Sequence, residues 1–334
     1  MSIARQSFTD YELLFIDDGS GDGTTQILDD LIRSIPDFEH RARVLTLEKN
    51  EGVCFARNYG IDAAQGDYIA FLDFDDLWQP RYLELMHEAI TQFPQSRVYL
   101  ARTDFLRQFN QKTRVRSTGS LGALNQLDDT QFNAWHLLNN FPVGMGSAIV
   151  VERQLYRDMP DLKFDLALSR KTAEDVLLGF QLLARGMRPR YVDEPLCVHR
   201  KVMGSRSRGT AAFLSMDERE VNDYIAEHAT KALIASVVRK DPAWERPLQD
   251  MRDRLNRKFD LKRQFRDPAR AFGIRTCLAH PGEFKTLVRL HLMYAVIGSR
   301  LEPLLQLFFF WREASDAQAL ARVTALLRTV SASA

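Results

Sequence analysis

Two aspartates separated by one residue follow directly after an apolar segment of the chain. Residues 68–72 are apolar, which predicts a β-strand, and they run into Asp73, Phe74, Asp75 and Asp76. Magnesium and manganese prefer oxygen ligands and usually keep water or phosphate oxygens as further partners. Asp73 and Asp75 could therefore grip a divalent cation that neutralises a diphosphate. The alternative is an acidic loop after a strand, without a metal.

A second acidic pair opens a helix. Residues 174–185 have apolar residues at helical spacing and are followed by Gly186, a residue typical of helix ends. Glu174 and Asp175 stand in the first turn of this predicted helix. One of the two carboxylates could act as a general base if it reaches an acceptor hydroxyl. The alternative is an ordinary helix start, because the helix dipole favours carboxylates there.

Two further motifs precede these pairs. Asp17 and Asp18 follow the apolar residues 12–16 and lead into a glycine-rich turn, which alone would suit a turn with a helix N-cap. Arg57 lies in a predicted helix over residues 52–64 and could bind a phosphate group through two parallel hydrogen bonds. A surface arginine is the alternative for Arg57.

The elements that must position these motifs alternate along the N-terminal third of the chain. Predicted strands at residues 12–16, 43–47, 68–72 and 97–105 alternate with predicted helices. This order favours a parallel sheet covered by helices on both faces, in which ligands bind beyond the carboxyl ends of the strands. Two of the acidic motifs stand at such ends. After about residue 210 the sequence predicts successive helices.

The composition excludes several classes of protein. The chain has 334 residues, of which 45% are hydrophobic and 27% charged, so it is neither disordered as a whole nor collagen-like. Its formal net charge is +1, so nucleic acid is not an expected partner. The three cysteines form no Cys-x-x-Cys pair, which argues against a zinc site of that kind and against a disulfide scaffold.

The sequence predicts neither a signal peptide nor a membrane-spanning helix. The longest apolar stretch, residues 301–311, is interrupted by Glu302 and Gln306 and falls short of the roughly 20 residues that a spanning helix needs. We therefore expect a soluble or peripheral protein in the reducing cytoplasm. Peripheral attachment to the inner face of the plasma membrane is compatible with this expectation.

The C-terminal region is basic, whereas the first 240 residues are net acidic. Residues 252–275 carry nine Lys and Arg against three Asp, and residues 308–311 read Phe-Phe-Phe-Trp. Residues 252–311 could therefore contact an anionic membrane surface, or bind an acceptor that carries phosphate. The alternatives are a solvated helical face that packs against the rest of the chain, and a homodimer.

In combination, the order and spacing of these motifs resemble the family 2 glycosyltransferases of the GT-A fold. The resemblance rests on DYELLFIDDGSGDGT, on NEGVCFARNYGIDAAQGDYIAFLDFDDLW and on the helix that opens with Glu174 and Asp175, and it covers residues 5–205. It implies an α/β, Rossmann-like fold with a mostly parallel central sheet and flanking helices. We expect a GT-A catalytic domain over residues 1–210 and a helical C-terminal extension over residues 211–334.

The resemblance also implies that the catalytic domain is truncated at its N-terminus. Members of the family begin with an apolar strand, a turn and a helix before the strand that matches residues 12–16. Only the end of that helix has a counterpart here, in residues 2–13. The first strand is normally central in the sheet. Its loss would leave unpaired backbone groups and an open apolar slot.

The resemblance assigns four residues to the nucleotide-sugar donor and its metal. Asp18 matches the carboxylate that binds the nucleotide base, and Arg57 falls near a position that contacts the donor. Asp75 matches the direct ligand of Mg²⁺ or Mn²⁺. Asp73 matches the other member of the metal-binding pair, which lies nearer the ribose and the diphosphate.

Further residues are implied at the acceptor side. Asp175 matches the catalytic base, and Glu174 matches its neighbour in acceptor binding. Trp78, at the end of the acidic motif, is a further expected acceptor contact. Residues 143–150 resemble the stretch that lines the donor sugar and the acceptor.

A segment that closes over the diphosphate is implied around Arg200 and Ser205. Met203 occupies the place where this segment often has a histidine. His199 lies nearby and could serve as a metal ligand in its place. A structural or surface histidine is the alternative for His199.

The implied reaction moves a sugar from a nucleoside-diphosphate sugar, with UDP as the default carrier, to a hydroxyl of a glycan or lipid-linked acceptor. The family usually inverts the anomeric centre, and its members suggest a role in bacterial surface polysaccharide or glycoconjugate synthesis. One alternative is a degenerate glycosyltransferase-like protein that acts as a binding or scaffold subunit, which the absent first strand would favour.

A haloacid dehalogenase-like phosphatase is a more remote alternative. Such enzymes also carry Asp-x-Asp after a hydrophobic strand. Their motif usually continues to Gly-Thr, whereas Asp76 and Leu77 follow here, and the later sequence contains no convincing GDxxxD.

Overall fold

The computed structural model describes residues 2–109, 112–139, 146–169, 173–201, 218–264 and 316–331. The strands of these ranges are β1 (Leu13–Asp17), β2 (Ala42–Thr46), β3 (Tyr68–Ala70), β4 (Leu77–Trp78), β5 (Val98–Phe109), β6 (Lys112–Ser117), β7 (Ile149–Glu152) and β8 (Arg190–Lys201). Their α-helices are α1 (Thr24–Ser34), α2 (Phe38–Arg41), α3 (Val53–Ala63), α4 (Tyr82–Gln92), α5 (Asp129–Asn139), α6 (Arg153–Asp158), α7 (Glu174–Ala184), α8 (Glu218–Ile225), α9 (Lys231–Lys240), α10 (Glu245–Gln264) and α11 (Ala317–Ser331).

The described strands form two sheets. β1 and β2 pair in parallel, from Leu13 opposite Ala42 to Asp17 opposite Thr46. The larger sheet has the order β3-β7-β5-β8-β4, and β6 pairs with β5 beside this path. In the larger sheet β5 and β8 are parallel, whereas β3–β7, β5–β7, β4–β8 and β5–β6 are antiparallel.

The predicted α/β class with flanking helices is confirmed, but the strand directions correct the expectation of a mostly parallel central sheet. β7 lies between β3 and β5 and runs against both neighbours. β5 continues past the predicted end at residue 105 and pairs with β6 as an antiparallel neighbour. The alternation of strands and helices in the N-terminal third does not indicate where a later strand such as β7 enters the sheet.

β1 and β3 are edge strands within the described residues, since β1 pairs only with β2 and β3 only with β7. Residues 13–16 of β1 are half-buried rather than buried. Side-chain contacts connect the small sheet to the rest of the fold. The carboxylate of Glu12 accepts the backbone N–H of Gly66 at 2.9 Å, and α3 packs against β1. The two sheets are therefore joined by helix packing and a loop contact rather than by described strand pairing.

α7 lies inside the core, because its sequence is apolar on more than one side. A helix of this kind is buried on most of its surface instead of along one stripe. Its buried residues are Leu177, Leu178, Gly179, Phe180, Gln181, Leu182 and Leu183. This packing fixes the N-terminal end of α7, where Glu174 and Asp175 stand.

The helices that follow β8 pack against earlier helices or against the larger sheet. α9 contacts α5 and α7, and α10 contacts α5 and α8. α11 contacts β5 and β6. Within the described ranges, none of the helices combines the length and the apolar composition that crossing a membrane requires.

Candidate active site

The loop after β3 brings three carboxylates together. We call residues 73–76 the acid turn, because the backbone N–H of Asp76 donates to the carbonyl of Asp73 at 3.0 Å. One oxygen from each of Asp73, Asp75 and Asp76 lies within 4.8 Å of the others. Burial and the neighbouring charges of Asp76 and Asp73 raise the pKa of Asp75 above its ordinary value. The oxygen set and its mutual repulsion both fit a hard divalent cation.

Asp76 anchors the acid turn to two other parts of the fold. Its buried carboxylate accepts a hydrogen bond from the Ser147 hydroxyl at 2.6 Å and another from the backbone N–H of Arg200 at 3.0 Å. The Nδ1 of His199 lies 3.0 Å from the same carboxylate. The Ser147 hydroxyl in turn accepts the backbone N–H of Asp73 at 3.0 Å. Asp76 therefore fixes the turn, while Asp73 and Asp75 are only half-buried.

A buried arginine on α3 joins the acid turn to the start of α7. Arg57 donates to Asp73 at 2.8 Å and to Glu174 at 2.8 Å, and its guanidinium lies 5.0 Å from the centre of the Phe164 ring. Only 11% of its side chain is exposed. Burial works against the charged form of Arg57, but the two carboxylates outweigh it and raise the pKa of the guanidinium. Arg57 thus binds carboxylates in this structure instead of standing as a surface arginine.

Asp175 stands beside this ion-paired group. Burial and the charge of Glu174 raise the pKa of Asp175 to about 7, against the opposing charge of Arg57. The residue before the acidic pair, Ala173, has a φ of 75°, which is uncommon for a residue other than glycine. A carboxylate with a pKa near neutrality is suited to accept and release a proton at physiological pH.

The turn after β1 is built around Asp17 and Asp18. Asp17 accepts hydrogen bonds from the backbone of Ser20 and from the Thr25 hydroxyl. The two oxygens of Asp18 accept the backbone N–H groups of Glu51 and Gly52, each at 2.9 Å. Asp18 therefore holds the loop that begins α3, in addition to any contact with a ligand.

Position 52 requires glycine, because its backbone has a positive φ and because the side chain of Ser169 leaves no room for a Cβ. Its φ is 92°, and a Cβ there would lie 2.6 Å from the hydroxyl oxygen of Ser169. The same hydroxyl accepts the backbone N–H of Cys54 and donates to the carbonyl of Glu51. Ser169 thereby links the start of α3 to the segment that precedes α7.

Several predicted site residues are placed differently from the expectation. Trp78 is buried, its Nε1 donates to the carbonyl of Ser147 at 2.6 Å, and its ring stacks on Tyr82, so it belongs to the core and does not face an acceptor. The guanidinium of Arg200 donates to the backbone carbonyl of Asp75, at the edge of the acid turn.

His199 contacts Asp76 through Nδ1 and packs edge-on against Phe105, with 5.7 Å between the ring centres. It is not one of the residues that bring a ligand atom into the three-carboxylate cluster. Ser205 and Met203 lie outside the described residues, as do residues 143–145 of the predicted lining segment.

Asp76 and Ser147 hold the acid turn, and neither residue was predicted to do so from the sequence. The adjacent carboxylate at the end of DFDD was a visible signal for Asp76. Ser147 carried no such signal, since it reaches the turn from a distant part of the chain.

Comparison with known proteins finds a family match over part of the chain. Residues 1–159 match the family described as Glycosyl transferase family 2. The matched region is just under half of the chain, and it is similar to family 2 glycosyltransferases. The resemblance seen in the sequence is therefore confirmed, and the acid turn at residues 73–76 lies within the matched region.

Bacterial relatives are similar over parts of their length. TuaG of Bacillus subtilis, named for teichuronic acid biosynthesis, is 40% identical over 83 residues, which are 25% of this chain and 31% of TuaG. The succinoglycan biosynthesis protein ExoO of Rhizobium meliloti is 30% identical over 187 residues, 56% of this chain and 51% of ExoO. The glucosyltransferase WfgD of Escherichia coli is 36% identical over 84 residues, 25% of this chain and 31% of WfgD. The chain thus spans between about a third and about a half of these relatives.

A solved structure of S. aureus TarS with UDP-GlcNAc aligns with a TM-score of 0.49 and 20% identity, over 68% of this chain and 65% of that chain.

The contacts of Ser147 predict the cost of removing its hydroxyl. Ser147→Ala deprives the buried Asp76 of one donor and the Asp73 N–H of its acceptor, so we expect a loss of about 1–3 kcal/mol in the free energy of unfolding. Urea denaturation followed by circular dichroism measures it. Ser34→Ala, which removes an exposed hydroxyl on α1, is the matched control. Equal losses in both variants would contradict the anchoring role.

The raised pKa of Asp175 predicts a pH-dependent stability. Because its pKa rises from 3.8 to about 7 on folding, ionising Asp175 opposes folding, and the free energy of unfolding falls as pH rises through this window. Asp175→Asn removes this penalty. Its stability relative to the unmodified protein should therefore be higher at pH 8 than at pH 5, by on the order of a few kcal/mol.

Thermal unfolding across this pH range tests the assignment. Asp161→Asn on the surface is the control: hydrogen bonding to Arg185 lowers the pKa of Asp161 below its ordinary value of 3.8, so its stability difference from the unmodified protein should stay constant between pH 5 and pH 8. A pH-independent difference between Asp175→Asn and the unmodified protein would show that Asp175 titrates as an ordinary aspartate.

Proposed function

We propose that this chain is an inverting, metal-dependent glycosyltransferase that moves a sugar from a nucleoside-diphosphate sugar to a hydroxyl acceptor. The observation that carries the proposal is the ion pairing of Arg57, which joins the acid turn to Glu174, the neighbour of Asp175. Arg57 and the acid turn lie within the region that matches family 2 glycosyltransferases. A candidate metal site and a candidate base with a pKa near 7 thus lie at one centre.

Asp73 and Asp75 would hold Mg²⁺ or Mn²⁺, since their carboxylates are half-buried and the third carboxylate, Asp76, is engaged by the protein. When bound, such an ion supplies positive charge to the leaving diphosphate. Arg200, which contacts the carbonyl of Asp75, is placed to add a second positive charge there. His199 would reach the ion only through Nε2, because its Nδ1 faces Asp76.

Asp175 would act as the general base. Its ionised carboxylate takes the proton of an acceptor hydroxyl while the hydroxyl oxygen bonds to the anomeric carbon. The bond from that carbon to the diphosphate oxygen breaks on the opposite face, and its electron pair leaves with the nucleoside diphosphate. A single displacement of this kind inverts the anomeric centre. Glu174, held by Arg57, would contact the acceptor beside Asp175.

Asp18 would bind the nucleotide base, and Arg57 would act near the donor by holding Asp73. The protein named as a UDP-Glc:alpha-D-GlcNAc-diphosphoundecaprenol glucosyltransferase supports a UDP-sugar donor and a lipid-linked acceptor as first candidates. The names of TuaG and ExoO support a role in assembling a bacterial surface polysaccharide.

A lipid-linked acceptor would place the enzyme at the cytoplasmic face of the plasma membrane. The basic residues 252–275 would favour peripheral contact with an anionic surface there. We further propose that residues 1–210 form the catalytic domain and residues 211–334 its helical extension.

A donor panel tests the proposal directly. We expect release of nucleoside diphosphate from one of a set of UDP-, GDP- and dTDP-sugars in the presence of Mn²⁺, with the signal lost on adding EDTA and restored by excess Mn²⁺. The readout is coupled nucleotide release, and NMR of the product reports the anomeric configuration. Tight binding of a nucleotide sugar with no turnover over any acceptor would instead support the degenerate binding protein.

The base assignment has its own test. Asp175→Asn should lower kcat/KM by about 10²–10⁴-fold while the donor KM stays unchanged, because the carboxylate acts on the acceptor and not on the donor. Asp161→Asn on the exposed surface is the control and should keep full activity. Near-normal transfer by Asp175→Asn would assign the base elsewhere.

A further inference from the structure

The C-terminal helix α11 packs on the face of the larger sheet that lies behind the candidate site. The cluster that it forms with the sheet contains Leu77, Leu106, Val115, Val198, Ala319, Val323 and Leu326. The carboxylate of Asp316 caps the start of α11 by accepting the backbone N–H of Ala319, and the backbone N–H of Asp316 donates to the carbonyl of Val115 at 2.8 Å. α11 therefore docks with a defined register on β5 and β6.

A buried ion pair fixes this docking. Asp104 on β5 is completely buried, and its two carboxylate oxygens accept hydrogen bonds from Nη2 of Arg322 on α11, each at 3.2 Å. Nε of Arg322 donates to the same carboxylate at 3.3 Å. The arginine side chain is 35% exposed. The buried carboxylate of Asp104 is thus compensated by the positive charge of Arg322, which lies 218 positions later in the chain.

The residues covered by α11 stand next to the anchors of the acid turn. Leu77 directly follows Asp76, Val198 directly precedes His199, and Leu77 and Val198 are paired in the sheet. Val198 is also the partner of Asp104 in the β5–β8 register. Because successive side chains of a strand point to opposite faces, α11 covers one face, while His199 and Asp76 meet on the other.

We propose that Arg322 is a positioning residue of the candidate metal site: by pairing with Asp104 it seats α11 on Leu77 and Val198 and so holds Asp76 and His199 in register. The assignment rests on the proposed function only for the statement that the acid turn binds a metal. The positioning of His199 against Asp76 by α11 stands on the contacts alone.

The two halves of the ion pair are expected to respond differently to substitution. Arg322→Gln leaves the buried Asp104 without a compensating charge, which is strongly unfavourable in the core. Asp104→Asn leaves Arg322 partly exposed, where water solvates its charge. The double variant Asp104→Asn, Arg322→Gln removes both charges, so it should recover most of what Arg322→Gln alone loses.

The experiment measures Mn²⁺ binding to the full chain by calorimetry, at a temperature where circular dichroism shows every variant folded. We expect Arg322→Gln to weaken binding by about tenfold or more, as changes to residues that orient metal ligands do, and the double variant to return close to the unmodified value. Arg328→Gln, an exposed arginine on the same helix, is the matched control and should bind normally.

A second readout does not depend on the metal. The ¹H–¹⁵N signals of the His199 ring report its contact with Asp76, and they should shift in Arg322→Gln, return in the double variant and stay unchanged in Arg328→Gln. If Arg322→Gln lowers only the melting temperature and leaves both the Mn²⁺ affinity and the His199 signals unchanged, the proposal is wrong. If the unmodified protein does not bind Mn²⁺, the proposed metal site fails, and the His199 signals still decide whether Arg322 positions this residue.

Discussion

The ion pairs of Arg57 bring together two segments that carry like charge. Asp73 belongs to the acid turn and Glu174 to the start of α7, and each binds a different nitrogen of the same buried guanidinium. Asp175 lies beside them, and after burial the charges of both carboxylates contribute to raising its pKa. Repulsion between carboxylates grows as the surroundings become drier, so this arrangement would drive the two segments apart without a positive charge between them. α3 supplies that charge, and the geometry of the candidate site follows from it.

The raised pKa values of Asp75 and Asp175 reflect burial first, and then the repulsion between neighbouring carboxylates. Burial and neighbouring carboxylates raise the pKa of Asp75 and of Asp175 alike. Under the proposed function, a divalent cation on Asp73 and Asp75 would add the missing positive charge and would lower both pKa values. Metal binding and ionisation of the base are then linked, because each favours the other. Metal loading would thus favour the ionised base at neutral pH.

Individual helices and the turn after β3 could be predicted from the sequence, because they depend on patterns of neighbouring residues. The helix predicted over residues 52–64 corresponds to α3, and the predicted helix at residues 174–185 corresponds to α7. The acid turn follows its strand as expected. The insertion of β7 between β3 and β5 could not be predicted, since strand order depends on packing between distant segments. For the same reason Trp78 looked available to an acceptor, although its indole bonds to Ser147 inside the core.

Two buried aspartates lie on opposite faces of the larger sheet. Each carboxylate needs hydrogen-bond donors or a positive charge beside it, and the two obtain them from different parts of the chain. Asp76 is satisfied by Ser147, by the backbone of Arg200 and by His199, all in the neighbourhood of the acid turn. Asp104 is paired with Arg322 on α11. A buried carboxylate without such a partner takes up a proton or moves toward water, and either change would disturb the strand that carries it. Among the described residues, docking of the C-terminal helix therefore brings the positive charge that balances Asp104 in the sheet that supports the candidate site.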